Sequence, residues 1–135
     1  MPAGVRVPAA IRRALVRYAI EAHPRECCGF LVGRGPDVIA AIAMANVAAT
    51  PETRYQVDDA DYVAIRRVLR RLTPPVEIVG VYHSHPEGDA APSPTDVAEA
   101  YYPDWLQVIV GLGGRRPQVR AFRIAKGRVR PVRLI

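Results

Sequence analysis

The chain has little cysteine, no internal repeat, and no apolar run approaching the roughly 20 residues that a membrane-spanning helix needs. No membrane partner is therefore expected. The opening stretch, Met1 to Val7, lacks the apolar centre of a secretory signal, so the expected location is the cytoplasm. The only cysteines are Cys27 and Cys28. Neighbours in an extended strand point apart, so this pair does not meet the geometry of an unstrained disulfide, and a reducing compartment is expected. Both are read as small core hydrophobes, since free cysteine is among the most buried residue types. A zinc deaminase needs P-C-x-x-C ligands, and that pattern is absent. No linker or low-complexity tract divides the chain, so one domain is expected over residues 1–135.

The formal net charge is +6 and comes mostly from arginine. Such a balance suits polyanions. The cations nevertheless read as scattered, the aromatics are not interleaved with them, and no nucleic-acid motif occurs. No nucleic-acid partner is expected; an acidic protein partner suits the charge as well.

Periodicity divides the chain into alternating elements. Pro8 to Ala22 reads as a helix with Ile11, Leu15, Tyr18 and Ala22 on one face, and His23-Pro24 stops it, leaving His23 as a boundary residue. Glu26 to Gly33 and Val38 to Ala48 read as a hairpin of two strands around a Gly35-Pro36-Asp37 turn. Asp58 is a plausible N-cap for a helix to about Leu72, with an inner stripe of Ile65, Val68, Leu69 and Leu72. Acids at its start and arginines near its end suit the helix dipole. Val76 to Tyr82 is an apolar, β-branched run that reads as a buried strand. Pro94 to about Tyr102 reads as a short helix, and Trp105 to Leu112, Gln118 to Ala125 and Arg128 to Ile135 read as strands. The predicted fold is α/β: a single domain with a mixed β-sheet flanked by about three helices.

The apolar run from Val76 leads into His83-Ser84-His85-Pro86. Side chains alternate along a strand, so His83 and His85 point the same way and Ser84 points opposite, which sets two imidazoles side by side. Pro86 closes the strand, and the loop from Glu87 to Pro92 lets Asp96 fold back as a third ligand. Two histidines, a carboxylate and one position left for water make a catalytic zinc arrangement. The same residues have plainer readings. Ser93-Pro94-Thr95-Asp96 is also a helix N-terminus, with serine as cap, proline at the first position and an acid against the dipole. Glu26 is either a solvated strand-end residue or a carboxylate held for chemistry. A His, His, carboxylate set also describes a non-heme iron oxygenase, but that site needs no upstream Glu26 and no Ser93.

Glu26, then His83-Ser84-His85-Pro86, then Ser93 and Asp96 resemble the JAMM (JAB/MPN) family of zinc metallopeptidases, which carries an upstream Glu, an H-x-H-P and an S-x-x-D. Every motif position is filled, and Pro24-Arg25-Glu26-Cys27-Cys28-Gly29 resembles the small free-standing prokaryotic members. The resemblance implies that His83, His85 and Asp96 bind one zinc ion, that Glu26 is general base and later acid, and that Ser93 helps to stabilise the developing oxyanion. It implies hydrolysis of a peptide or isopeptide bond at the C-terminus of a ubiquitin-like protein of the sulfur-carrier type, with a Gly-Gly C-terminal region. Two other readings fit the same resemblance: a general deconjugating isopeptidase and a non-catalytic scaffold subunit.

Overall fold

A computed structural model describes residues 4–135. The helix α1 (Ala9–Ala22) is followed by the strands β1 (Cys28–Arg34) and β2 (Asp37–Met44), and then by α2 (Asp59–Arg71). The histidine strand β3 (Glu77–His85) comes next, then α3 (Pro94–Ala98), β4 (Leu106–Gly111), β5 (Gln118–Ala125) and β6 (Arg128–Val132). The six strands form one sheet in the order β2-β1-β3-β4-β5-β6. Only β3 and β4 run parallel; every other neighbouring pair is antiparallel, so the sheet is mixed as predicted. Parallel neighbours need a long crossover, and the loop carrying α3 is that crossover.

The two faces of the sheet have separate cores. Leu15 and Ala19 of α1, one helical turn apart, are buried against Leu31, Tyr82, Val108 and Val110. On the opposite face Ile109, Phe122 and Ile124 pack with Ala90, and Val32 and Val76 pack with Leu69 of α2. Alternation along β4 makes this division: Val108 and Val110 face α1, while Ile109 faces away. Gly29 lies opposite Tyr82 in the ladder, where a Cβ would sit 2.5 Å from the tyrosine ring. Its missing side chain is what allows Tyr82 to lie flat in the α1 core.

Three sequence expectations change in detail. The inner stripe of α2 is narrower than expected: Leu69 is buried, whereas Val68 and Leu72 are 58% and 45% exposed. Val68 lies three residues from Ile65, about 60° round the helix from the line that touches the sheet, and Leu72 lies just past the last residue of α2, where the backbone is already extended. α3 ends at Ala98 rather than near Tyr102, because Tyr102 leaves the helical path to stack on Trp105 with ring centroids 4.0 Å apart. β6 stops at Val132, after which Leu134 pairs with Val5 instead of β5. The other ends fall within a few residues of expectation, and α2 has the polarity its sequence predicts, with Asp58 accepting from the Asp61 amide at 3.2 Å. No helix among the described residues is long and apolar enough to cross a membrane.

Candidate metal centre and active site

β3 ends at His85 with its histidines on the face opposite α1. His83 Nε2 and His85 Nε2 lie 3.2 Å apart, and each reaches one oxygen of Asp96, at 3.1 and 3.0 Å respectively. In a tetrahedral zinc site with bonds of about 2.0–2.1 Å, neighbouring ligand atoms are about 3.3–3.4 Å apart, so the three donors fit one ion. His83, His85 and Asp96 are the cluster of metal-binding type found among the described residues, and neither cysteine belongs to it. His83 is 1% exposed, and a charge-bearing cluster that deep needs a partner to offset its desolvation.

The tautomer of His85 is set by its other nitrogen. Nδ1 lies 2.8 Å from the Asp89 carbonyl, which only accepts, so Nδ1 keeps its proton, and Nε2, which bonds Asp96 in the metal-free protein, is the nitrogen that loses its proton when the ring becomes a ligand. Asp89 reaches that position because its loop lies against the end of β4. A Cβ on Gly111 would sit 2.5 Å from the backbone of Asp89 and Ala90, so this close approach requires glycine. His83 Nδ1 is buried without a hydrogen-bond partner. Its ring is held instead by Tyr55, stacked on it at 4.6 Å between centroids and 24° between planes.

Asp96 faces both the two histidines and the backbone at the start of its own helix. With Ser93 it forms a capping box: Ser93 Oγ accepts from the Asp96 amide at 3.1 Å, and the Asp96 carboxylate accepts from the Ser93 amide at 2.9 Å. The capping reading of this motif is therefore borne out, and the capping bonds leave both carboxylate oxygens within reach of the histidines. Burial opposes ionisation of Asp96, but hydrogen bonds from His83 and His85 outweigh it and hold the carboxyl well below the usual range. Burial alone would lower His85, yet the Asp96 bond and the Asp89 carbonyl raise it.

Glu26 is not a solvated strand-end residue. It is buried, 7% exposed, and burial pushes its pKa from 4.5 to about 7, with His85 lowering it and Asp96 raising it. Two features that the sequence reading missed place it there. Ser84, on the α1 side of β3, accepts from the Cys27 amide through Oγ at 2.8 Å and donates its own amide to the Cys27 carbonyl at 3.1 Å. That clasp fixes the entry to β1 against the end of β3, one residue from Glu26. Asn46 supplies the second: its Nδ2 donates to the Glu26 carbonyl at 3.0 Å and to the Arg54 carbonyl at 2.9 Å, while its Oδ1 accepts from the Gln56 amide at 3.1 Å. The loop presenting Tyr55 and the residue carrying the carboxylate thus share one anchor. Asx side chains that bond nearby backbone are a sequence signal for such a loop, but nothing local in the sequence gives the contact with Glu26.

Burial favours the neutral thiol form of both cysteines. Burial pushes the Cys28 thiol up to about 12, and burial also raises Cys27. His23 is more than a boundary residue: its Nε2 lies 2.8 Å from Glu87 and ties the end of α1 to the loop after β3.

Residues 8–125 match the family described as prokaryotic homologs of the JAB domain. The chain belongs to the prokaryotic JAB family. This JAB chain is 38% identical over 94 residues to the desampylase of Haloferax volcanii, an alignment covering 68% of it and 66% of that protein. It is 36% identical over 119 residues to the CysO-cysteine peptidase of Mycobacterium tuberculosis, covering 86% of it and 80% of that protein. Among solved structures, that of protein DSY2949 from Desulfitobacterium hafniense superposes with a TM-score of 0.84 at 26% identity, covering 97% of this JAB chain and 91% of the other. The mixed sheet and three helices are those of the JAB/MPN fold.

Proposed function

We propose that this protein is a zinc-dependent peptidase that hydrolyses the peptide or isopeptide bond at the C-terminus of a ubiquitin-like protein of the sulfur-carrier type. The observation that carries this reading is Glu26: a buried carboxylate with a pKa near 7, electrically coupled to two members of an open His, His, Asp set. His83, His85 and Asp96 would hold the ion, which when bound lowers the pKa of a coordinated water to about 7 and polarises a carbonyl oxygen. Glu26 accepts a proton from the attacking water as the C–O bond forms, then delivers it to the leaving nitrogen as the C–N bond breaks. Ser93 uses its oxygen to accept from the Asp96 amide, so its own hydroxyl proton is left to donate to the developing oxyanion.

The names of the two curated relatives support a substrate of this class. So does the surface beside the histidines. Phe30, Val81 and Gln107 line a hollow of about 290 Å³ with Tyr55, Tyr62 and Trp105, along the same face as His83. An aromatic-walled hollow leading to a buried site suits an extended chain whose last residues are small, as in Gly-Gly.

The test is incubation of the zinc-loaded chain with a ubiquitin-like carrier bearing an extension after Gly-Gly, read by intact mass. Loss of the extension is expected, abolished by chelation and by His83→Ala, with His83→Ala also failing to retain metal by elemental analysis. A fully loaded wild-type protein that leaves the carrier and its Gly→Val variants alike would overturn the reading.

A further inference from the structure

Eight cations and no acid lie between Trp105 and Ile135, whereas residues 1–104 carry 11 cations and 13 acids. The net charge of +6 is thus a property of the C-terminal strands laid on a slightly acidic body. Cations that read as scattered along the chain are gathered by the β5–β6 hairpin. Arg123 stands directly opposite Arg130, and Arg128 faces the same side two residues earlier on β6. Like charges directly opposite in a ladder are destabilising. None of these residues is in a salt bridge, the ion pairs of the described residues lying elsewhere. The connecting turn adds to the pattern: Lys126 and Gly127 both have positive φ, 52° and 75°, and a lysine stands where asparagine, aspartate or glycine is favoured.

Arg123, Lys126, Arg128 and Arg130 line a single concavity of about 740 Å³ with Pro103 and Asp104. Asp104, the one acid among the lining residues, accepts from Arg123 Nη1 through its backbone carbonyl at 2.7 Å, so four cations face one carboxylate. The hollow lies far from the metal centre. Arg123 is on the α1 side of β5, alternating with Phe122 and Ile124 of the opposite core, and the Lys126 turn is at the end of the sheet away from His85. A flat acidic protein face would meet the rim of such a concavity, whereas a compact anion can be reached by several guanidinium forks at once. Guanidinium matches phosphoryl oxygens in bidentate fashion and stays charged at any physiological pH.

We propose that this concavity binds a compact polyphosphate, free or as the phosphate chain of a nucleotide. The site is independent of the hydrolytic reading. Its test is calorimetric titration of the full chain with inorganic triphosphate, ATP and AMP at about 0.05 M salt, where screening is weak. Triphosphate should bind and weaken as salt rises, and AMP should bind least. ATP matching triphosphate would assign the site to the bare phosphate chain, and tighter ATP would assign it to a nucleotide. Arg128 and Arg130 are exposed, so Arg128→Gln/Arg130→Gln should fold normally yet lose at least about tenfold in affinity. The charge-matched Arg115→Gln/Arg116→Gln, outside the concavity, should stay within about twofold, the size of a screened surface effect. Absence of binding, equal loss in both double variants, or polyglutamate binding as tightly as triphosphate would overturn the proposal.

Discussion

Glu26 shows how one side chain is tuned by its surroundings. Its carboxyl has a folded pKa raised from 4.5 to about 7, so the neutral form is the one the metal-free fold favours. The sign of the linkage follows: the stability this group contributes is complete below about 4.5 and is lost as pH rises through about 7. Metal-free Glu26→Gln should therefore melt above the metal-free parent at pH 8, with the gap closing toward pH 5, in paired thermal denaturation series. In the zinc-loaded protein the added positive charge lowers Glu26, so kcat/KM should rise with pH along an acidic limb centred at or below about 7. Glu26→Gln should keep its metal, lose about 10²–10⁴ in rate and flatten that limb. Normal turnover by this variant would return Glu26 to a structural part.

Among the elements, the connection between β2 and α2 carries more of the site than its irregular sequence suggests. Asn46 holds it at both ends of Tyr55 through Arg54 and Gln56, and Arg54 pairs with Glu99 beyond α3. Removing the amide leaves the Glu26 and Arg54 carbonyls and the Gln56 amide without their partner. Asn46→Ala should cost about 1–3 kcal/mol in urea unfolding, the usual penalty for half-buried polar groups left unpaired. It should also lower kcat at full metal occupancy, because both the His83 stack and the Glu26 backbone are released. Asn46→Asp keeps the oxygen that Gln56 uses and loses the two donations, so it should retain the loop amide but not the Glu26 anchor. A variant with lowered stability and unchanged kcat would separate the anchor from the chemistry. The histidine strand, by contrast, was legible in advance: strand alternation alone places His83 and His85 together, and the cap signature alone opens α3 at Ser93.

On the scale of the whole molecule, the sheet separates two chemistries. The candidate metal centre lies at the C-terminal end of β3 on the α2 side, and the arginine-lined concavity lies at the other end on the α1 side. From Gly80, whose partner is Leu106, to His85 is about 16 Å along the strand at the usual rise, and two further strands intervene before β6. Saturating triphosphate should therefore leave the rate of carrier cleavage within about twofold, the range of a screened long-range field. A steady-state assay with and without triphosphate checks this, and strong inhibition would mean that the anion also reaches the metal.

Properties of short range were settled by the order of residues alone: helix and strand positions, the polarity of α2, the capping box, and the side-by-side histidines. Each depends on backbone periodicity or on a hydrogen bond spanning three residues. Even there, β6 ended early because Val5, a remote partner, pairs with Leu134, and α3 ended early because Tyr102 turns to stack on Trp105 three residues on. What only the tertiary structure decided was the company each group keeps. Ser84 clasps Cys27 across 57 residues and Asn46 reaches Glu26 across 20, and these contacts turn a strand-end carboxylate into a buried one. Burial is a property of the assembled sheet. A pKa near 7 for Glu26, a ring stacked on His83 and a shared face for Arg123 and Arg130 all required distant strands to be set in register first.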